Sequence, residues 1–323
     1  MNRAPYRLAL GCVLAVVALA AYPADWSPTR PVRIIIPYVA GASYDTIMRV
    51  VAEPVSAALK QPIVVENRMG ASGIIGADML AKASPDGHTL GMLGDNHTIL
   101  PAVGQKTPYD LFRDFVPLTR IAMIDNVVVT HPSLPAKSMK ELVALLKSSP
   151  GKYRYGSGGH AGSTHLACAR FAQLAGVDML HVPYKSGGLA VLGLAGGEVH
   201  FMIPNMISVK QHVHAGRFRA YAVAAKKRSA HLPEVPSAPE SGLGDFEVSQ
   251  FYGVFAPAGT PAPVRSRLVR ELTAAVSQEV VRTRLTAQGA DPYSERPEEL
   301  TKYMRNEIRV HTQTAQAANI RPQ

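Results

Sequence analysis

The sequence is poor in cysteine, with only two in 323 residues. Cys12 lies in an apolar segment near the N-terminus, and Cys168 is the other. If the N-terminal segment is removed on export, Cys168 has no partner, which excludes a disulfide within the mature chain. Cys12 also precedes most of the apolar run, whereas a lipid-anchored cysteine would follow it, so we do not expect a lipoprotein.

Long apolar runs are also scarce. The longest, Leu8–Ala21, has fourteen uncharged residues, fewer than the roughly 20 that a membrane-spanning helix needs. Arg3 and Arg7 precede it, and an A-x-A triplet occupies residues 18–20. A basic start, a short apolar middle and small residues at the end are typical of a secretory signal peptide. We therefore predict that residues 1–20 are cleaved and that the mature protein is located in the periplasm.

Acidic residues are outnumbered, with 24 Asp and Glu against 34 Lys and Arg, which gives a formal net charge of +10. Removal of Arg3 and Arg7 with the signal peptide lowers this charge to +8. The basic residues are dispersed, and the densest cluster, at residues 226–228, is too short for a nucleic-acid-binding stripe. We therefore predict no nucleic-acid partner. The positive charge is expected to keep the protein soluble and to attract anions weakly.

Catalytic and metal-binding motifs are missing as well. No serine in the glycine-rich loops has a glycine two positions before and two after it, which excludes a nucleophile elbow. No H-E-x-x-H, C-x-x-C or G-K-[ST] motif occurs at the expected places. His160 and His165 lie five residues apart with no third ligand nearby. We therefore predict no catalytic residue, no cofactor and no metal ion.

The sequence does contain an alternation of short β-branched runs with helical patterns. Val32–Pro37 is a continuous apolar run, typical of a buried strand. Asp45–Leu59 follows with a helical period, in which Pro54 is expected to kink or split the helix. Ser138 and Glu141 have the spacing of a capping box before another helix. This alternation predicts an α/β fold with a mostly parallel sheet.

Ligands of open α/β sheets bind at the loops that lead from strand ends into helices. Two such loops consist mainly of small residues, Pro37–Asp45 and Tyr155–Thr164. Free N–H groups and the dipole at a helix N-terminus favour an anion, so we predict that these loops bind a small anion rather than a nucleotide. An ordinary turn in which Asp45 caps the helix would explain the first loop equally well. A third loop, Gly70–Gly76, is interpreted as structural.

Further segments follow one another in a fixed order: Val64–Arg68, Ser84–Gly87, Pro108–Asp110, His131–Ser138, His181–Lys185, Gly196–Val199, Leu232–Pro236 and Phe255–Pro261. In this order the chain resembles the tripartite tricarboxylate transporter substrate-binding receptors, the Bug family of periplasmic solute-binding proteins. The resemblance extends from Trp26 to about Arg321, nearly the whole mature chain.

The resemblance implies a type II periplasmic-binding-protein fold, in which two α/β domains flank a ligand cleft and two strands cross between them. We expect domain I at residues 21–127 and 250–323, and domain II at residues 128–249. The crossings are placed near Asn126–His131 and Gln250–Phe255, which explains why no Gly/Ser linker separates the domains.

The resemblance also implies that backbone N–H groups, hydroxyls and ordered water of the two loops hold a ligand carboxylate. Carried over residue by residue, the implied ligand-binding residues are Tyr38, Ala40, Gly41, Ala42, Ser43 and Asp45 in the first loop, Ser157, Gly158, Gly159, Gly162, Ser163 and Thr164 in the second, and Asn96, His97, Tyr184, Lys185 and Asn205 elsewhere. Five residues depart from the family's usual pattern, Val39, Ala42, Tyr44, Ser186 and Pro204. Val39, Tyr44, Pro204 and Met206 are expected to make the rest of the cleft wall less polar than an amino-acid site needs. We therefore expect a carboxylate with an apolar or aromatic body rather than aspartate or glutamate.

The expected function is that of a monomeric extracytoplasmic receptor, not an enzyme, that binds a small carboxylate and delivers it to integral membrane transporter subunits. Two alternatives stay open at this point. One is an exported α/β hydrolase, since fold alone does not fix function. The other is a binding protein that reports its ligand to a membrane sensor.

Overall fold

The computed structural model describes residues 26–322, so the predicted signal peptide lies outside the described residues. The strands are β1 (Val32–Ile36), β2 (Ile63–Asn67), β3 (Thr89–Gly94), β4 (Phe115–Asp125), β5 (Val127–Thr130), β6 (Arg154–Ser157), β7 (Leu180–Pro183), β8 (Phe201–Met202), β9 (Arg219–Val223), β10 (Ser249–Pro257) and β11 (Asp291–Pro292). The helices are α1 (Ser43–Leu59), α2 (Ile74–Ala81), α3 (Asp95–Ala102), α4 (Met139–Lys147), α5 (Ser163–Ala175), α6 (Gly187–Ala195), α7 (Met206–His214), α8 (Ala262–Ser277), α9 (Glu279–Ala287) and α10 (Pro297–Ala317). Within residues 26–322, no helix combines the length and the apolar character needed to cross a membrane.

The strands form two separate sheets, each of which belongs to one α/β domain. The first has the order β11-β4-β10-β3-β1-β2, and the second has the order β7-β6-β8-β5-β9. β1 pairs in parallel with β2 and β3, and β6 pairs in parallel with β7 and β8. The other pairings are antiparallel, so the prediction of a mostly parallel sheet is wrong. The cause is that the chain leaves the first sheet along β4 and returns along β10, its antiparallel neighbour.

These two strands also carry the connections between the sheets. β4 ends at Asp125 and β5 begins at Val127, so Asn126 alone separates the first sheet from the second. On the return, Ser249 at the start of β10 lies opposite Asp125. Asn126 is fully buried, and its side-chain amide donates to the Ile203 carbonyl at 2.8 Å. Both connections therefore lie side by side and are fixed by hydrogen bonds.

β1 is buried on both faces, as its unbroken apolar run predicts. Ile34 and Ile36 pack into one core with the apolar side of α1, and Ile35 packs on the other face with Ala77 and Leu80 of α2. A strand covered by helices on both sides positions its carboxyl end, and the loop that follows, at one rigid edge of the sheet.

Helix α1 runs unbroken from Ser43 to Leu59, so Pro54 does not split it. Proline removes one backbone hydrogen bond from a helix. Val51 and Val55, one on each side of Pro54, are both buried in the core. This burial holds the two halves of the helix against the same sheet and outweighs the local loss.

The capping signal before α4 is present in the structure. Ser138 Oγ accepts a hydrogen bond from the Glu141 N–H at 3.2 Å, as the spacing predicts. The Glu141 carboxylate accepts from the backbone N–H of Lys137, one residue before the cap, at 2.8 Å.

The last helix, α10, joins the two domains a second time. It packs against α3 of the first domain and against α5 of the second. The Gln173 side-chain amide of α5 donates to the Thr314 carbonyl of α10 at 2.9 Å. This helix therefore connects the two domains in addition to the two crossing segments.

Candidate ligand cleft between the two domains

A cavity of about 630 Å³ lies between the two domains, a size typical of small-molecule sites. Nine of the predicted site residues line it: Asn96, Gly158, Gly159, Gly162, Ser163, Thr164, Tyr184, Lys185 and Asn205. The first domain contributes one wall mainly through α3, and the second contributes the opposite wall through residues 158–164 and the segments before α6 and α7.

Three helices of the second domain begin at this cavity. Gly162 and Ser163 start α5, Gly187 starts α6, and Asn205 precedes α7, and all four residues line the cavity. The first N–H groups of a helix have no partner within the helix, and the helix dipole makes this end electropositive. Three converging N-termini favour a negatively charged ligand at this wall.

The three N-termini differ in how they are capped. Ser186 Oγ accepts from the Leu189 N–H at 3.3 Å in α6, and Asn205 Oδ1 accepts from the Ser208 N–H at 3.0 Å in α7. No side chain caps α5, whose N-cap residue is Gly162. The start of α5 is therefore where unpaired backbone N–H groups are best placed to meet a ligand oxygen.

The glycines of this loop have different roles. A β-carbon added to Gly158 would lie 2.7 Å from the Gly187 nitrogen, so Gly158 is needed where the loop meets the start of α6. A β-carbon on Gly162 would have the Gly159 carbonyl oxygen as its nearest neighbour, at 3.5 Å, an ordinary contact. The φ of Gly162 is −84°, which any residue adopts. Gly158 therefore serves the packing of the loop, whereas a side chain at Gly162 would meet no close atom of the protein.

The cavity wall is neutral to basic and partly apolar. Among the described residues that line it, none is Asp or Glu, and Lys185, whose side chain is exposed, adds a positive charge at the rim. The apolar part of the lining consists of Ile99, Leu100, Val103, Val191, Met202 and Pro204. An ammonium group in the ligand would lack a carboxylate partner on this wall.

An acidic side chain does lie behind the wall, at Asp95 in the first turn of α3. It is buried, and Oδ1 accepts a hydrogen bond from the Tyr44 hydroxyl at 3.0 Å. Burial raises the pKa of Asp95 to about 6, against the lowering effect of the hydrogen bonds from Tyr44 and Ser163. Asp95 borders a separate space of about 20 Å³, enough for one water molecule, that also contacts Glu307 and His311.

The structure does not bring the other eight predicted residues into the cavity lining: Tyr38, Ala40, Gly41, Ala42, Ser43, Asp45, His97 and Ser157. Six of these belong to the first loop, at the start of α1. There the Asp45 carboxylate accepts from the Gly41 N–H at 3.0 Å and pairs with Arg49. Burial would raise the pKa of Asp45, but the hydrogen bonds from Arg49 and Gly41 lower it below its ordinary value. The position expected to bind an anion is therefore occupied by the chain's own carboxylate.

Aromatic side chains fill the space behind the first loop. The ring of Tyr44 packs in a tilted arrangement against Tyr38, at 4.3 Å between centroids, and against Tyr252, at 4.5 Å. The Tyr38 hydroxyl is buried without a hydrogen-bond partner, and burial raises its pKa. Tyr44, one of the departures from the family's pattern, therefore helps to pack this loop against the crossing strand β10.

The first loop is nevertheless connected to the cavity by hydrogen bonds. The Tyr252 hydroxyl lies 3.0 Å from Ser43 Oγ and 3.2 Å from Gln250 Oε1. Gln250 Oε1 accepts from the Asn205 side-chain amide at 2.9 Å, and both Gln250 and Asn205 line the cavity. This series of polar contacts runs from α1 through the crossing strand to α7.

His97 and Ser157 lie beneath the surface that they were expected to form. His97 is buried, its Nδ1 accepts from the Gly94 N–H at 3.3 Å, and burial lowers its pKa to about 4. Ser157 is buried at the end of β6, and its hydroxyl donates to the Gly159 carbonyl at 2.9 Å. Both side chains support neighbouring loops.

Sequence reasoning also missed several lining residues, notably Ser72, Gln105, His160, Gly187, Ser208 and Gln250. Ser72 belongs to the third loop, which was interpreted as purely structural. Gln250 belongs to a strand that was predicted to cross between the domains. Its position at the cleft could therefore have been predicted from the sequence.

The prediction that His160 and His165 have no third ligand nearby is wrong. His181, in β7, brings a ring nitrogen close to theirs, and one nitrogen from each ring lies within 4.8 Å of the others. The sequence gives no hint of this because β7 is adjacent to β6 only in the folded sheet.

The chain is similar to known proteins over most of its length. A family model described as the tripartite tricarboxylate transporter family receptor matches residues 47–320. Protein BugT of Bordetella pertussis is 35% identical over 313 residues, which cover 95% of this chain and 95% of that protein.

Two solved structures from Rhodopseudomonas palustris are also similar. MatC with bound malate has a TM-score of 0.75 and 30% identity, with 89% of this chain and 99% of that chain covered. A second protein, solved with adipate, has a TM-score of 0.80 and 30% identity, with 93% and 100% covered. These similarities confirm the expected periplasmic-binding-protein fold of two α/β domains.

Proposed function

Because the chain belongs to the tripartite tricarboxylate transporter receptor family, we propose that it binds a small organic carboxylate between its domains and delivers it to membrane transporter subunits. The family consists of periplasmic solute-binding receptors, which are not enzymes. The exported hydrolase considered from the sequence is therefore excluded, and the sensor partner remains the alternative to a transporter.

The convergence of three helix N-termini on one cavity carries this proposal. The wall that they form contains backbone N–H groups at the start of α5, the hydroxyl of Thr164, and no carboxylate among the described lining residues. N–H groups at a helix N-terminus bind anions without a basic side chain, and ordered water bridges what they do not reach. We propose that one ligand carboxylate binds here, and that Lys185 is a secondary contact at the rim.

The chemistry of the remaining wall narrows the ligand class. Ile99, Val191 and Met202 offer apolar surface, which suits methylene groups or a ring and offers nothing to an α-ammonium group. We therefore propose a carboxylate with an apolar body. The adipate bound in one similar structure has this character. Malate, bound in another, is a hydroxylated dicarboxylate and should be tested beside it.

The direct test is a thermal-shift screen of the mature protein against mono-, di- and tricarboxylates, with aspartate and glutamate included. A ligand present at a hundred times its Kd adds about 2.7 kcal/mol to the free energy of unfolding. We expect adipate or an aromatic carboxylate to raise the melting temperature more than the amino acids do. A response to aspartate or glutamate alone would contradict the proposed apolar ligand, and no response to any carboxylate would contradict the proposed function.

We further propose that the domains, at residues 21–127 with 250–323 and at 128–249, close on the ligand by a hinge at the two crossings. The cavity walls belong to different domains, so both must approach to contact one small molecule. Because α10 already contacts both domains, we expect a small decrease in the radius of gyration in solution scattering when ligand is added. An unchanged radius at saturation would indicate a preformed closed site.

Export and delivery need separate tests. We propose that cleavage near Ala20 yields a monomeric periplasmic protein, which N-terminal sequencing and sedimentation of the periplasmic protein would check. A species acylated at Cys12 and retained in the membrane would contradict cleavage.

Ligand uptake by membrane vesicles that depends on added receptor would support a transporter partner, and binding without any uptake would favour the sensor.

A further inference from the structure

We propose that His160, His165 and His181 form a binding site for a divalent transition-metal ion such as Zn²⁺ at the edge of the ligand cleft. This site goes beyond the carboxylate receptor function, and its test does not depend on that function. The three histidines come from the second glycine-rich loop, from α5 and from β7. His160 also lines the cleft cavity.

The three imidazole rings form one compact cluster. The rings of His165 and His181 are stacked with centroids 3.7 Å apart, and His160 lies 5.1 Å from His165 and 6.2 Å from His181. One nitrogen from each ring lies within 4.8 Å of the other two. His165 is buried, whereas His160 and His181 are partly exposed, so the cluster has an entry path from solvent.

The hydrogen bonds of the rings leave the same nitrogen unprotonated on all three. His160 Nε2 donates to the Arg321 carbonyl at 3.0 Å, because a carbonyl oxygen can only accept. The Ser157 hydroxyl donates to the Gly159 carbonyl, so His181 Nε2 donates to Ser157 Oγ at 2.6 Å. His165 Nδ1 accepts from the Ala161 N–H at 3.0 Å, which places the proton on Nε2. Each ring therefore carries its lone pair on Nδ1.

This pattern is the one that metal-binding histidines use. A histidine that binds a metal through one ring nitrogen normally donates the other N–H to a carbonyl or a similar oxygen, which fixes the ring. His160 and His181 already have such acceptors in Arg321 and Ser157. Only at His165 does a metal compete with an existing contact, the N–H of Ala161.

The chemistry of the three side chains selects the metal. Imidazole nitrogens suit zinc, copper or nickel rather than magnesium or calcium, which prefer oxygen ligands.

Binding requires one of the two stacked rings, His165 or His181, to turn, because lone pairs in nearly parallel planes 3.7 Å apart do not meet at one ion. The cluster must also contract. Zinc–nitrogen bonds of about 2.0–2.1 Å in tetrahedral geometry place the nitrogens roughly 3.3 Å apart, closer than the 4.8 Å limit observed here. His160 stands between Gly159, with φ of 138°, and Ala161, whose φ of 55° is unusual for a residue with a side chain. A shift of Ala161 would release its N–H from His165 and free the lone pair of that ring.

The test uses the mature protein without a histidine tag, titrated with Zn²⁺ in competition with a colorimetric chelator. We expect one Zn²⁺ per chain and at least tenfold weaker binding in His160→Ala and in His181→Ala. His214→Ala, which removes an exposed histidine at the end of α7, is the matched control and should leave binding unchanged. Melting temperatures report whether each variant is folded, and His160→Ala, in a loop, decides the result if His181→Ala is not.

Co²⁺ provides a second readout that surface binding would not reproduce. Cobalt bound by three imidazoles in a four-coordinate site gives intense visible absorption, which should appear in the wild type and disappear in His160→Ala. Absence of zinc binding in the wild type would overturn the proposal. Equal binding in all variants, or an equal loss in His214→Ala, would also overturn it by assigning the zinc to dispersed surface histidines.

Discussion

The two small-residue loops look alike in the sequence, yet they differ in the structure. Each follows a buried strand and opens a helix, and each has an N-cap residue in extended backbone without a capping side chain, Ala42 for α1 and Gly162 for α5. In the first loop the Asp45 carboxylate binds the Gly41 N–H. In the second loop no acidic residue occurs between Tyr155 and the end of α5.

The difference shows that a glycine-rich start of a helix is not sufficient for an anion site. Asp45, the third residue of α1, provides the negative charge that the helix dipole favours at an N-terminus. The Arg49 guanidinium neutralises this carboxylate in turn. In α5 the same position holds His165, whose ring accepts from the Ala161 N–H but provides no negative charge. On this account the second loop binds the carboxylate and the first loop supports the fold.

The largest effect is expected from a side chain placed at the start of α5. Gly162→Val adds bulk where the nearest atom to a β-carbon is 3.5 Å away, so the chain should fold and the ligand should be blocked. We expect carboxylate affinity to fall tenfold or more, about 1.4 kcal/mol or above, by calorimetric titration with the best ligand of the screen. Ala42→Val, at the matching position of α1, is the control and should bind normally. Equal losses in both variants would make the two loops equivalent.

A smaller effect is expected from the charge at the rim. Lys185→Ala should weaken binding by about 1 kcal/mol or less, because Lys185 is exposed and its attraction is screened by water. The remaining difference from wild type should shrink as salt is added. If this variant alone abolishes binding while Gly162→Val retains it, a lysine and not the backbone holds the carboxylate.

The two acids at helix starts should respond to pH in opposite directions. The pKa of Asp45 is lowered, so its stabilisation is present above its unfolded pKa and is lost as pH falls through the lower folded value. The pKa of Asp95 is raised to about 6, so its contribution is full below the unfolded value of about 4 and is lost as pH rises through about 6.

Thermal unfolding of Asp45→Asn and Asp95→Asn between about pH 3 and pH 7 measures this contrast. Relative to wild type, Asp95→Asn should gain stability as the pH rises, and Asp45→Asn should lose it. Parallel pH profiles for the two variants would refute the assigned difference between the two helix starts.

The smallest effect is expected from Arg49→Gln in the first loop. The Arg49 side chain is about half exposed, and Asp45 keeps the Gly41 N–H when it is removed. We expect a stability loss of about 0.5–1 kcal/mol in chemical denaturation, with unchanged carboxylate affinity. A clear rise in affinity would mean that Asp45 and Arg49 regulate the ligand site directly.

Much of the fold followed from patterns that are local in the sequence. The run Val32–Pro37 predicted β1, and the spacing of Ser138 and Glu141 predicted the start of α4. β4 was missed because Arg120 interrupts its apolar pattern. In the structure this arginine is buried and paired with Glu295, 175 residues away, a contact that no local pattern reveals.

The site was predictable where the residues that matter are adjacent in the chain. The second loop could be predicted as a binding site because its glycines and hydroxyl-bearing residues directly precede α5. The occupation of the first loop by Asp45 depended on side-chain geometry, and an N-cap role for this acid was considered without its consequence for a ligand. The clustering of His181 with His160 and His165 depended on the pairing of β6 with β7, which is set by the sheet and not by spacing.

Amide-resolved NMR during titration with the best carboxylate of the screen tests the central claim most directly. The backbone N–H signals of both loops can be followed in one experiment on the same protein. We predict the largest shift changes at Ser163 and Thr164, with smaller changes across residues 158–162 and none beyond noise at residues 39–45. Changes concentrated at Gly41, Ala42 and Ser43, with the start of α5 unaffected, would contradict the account.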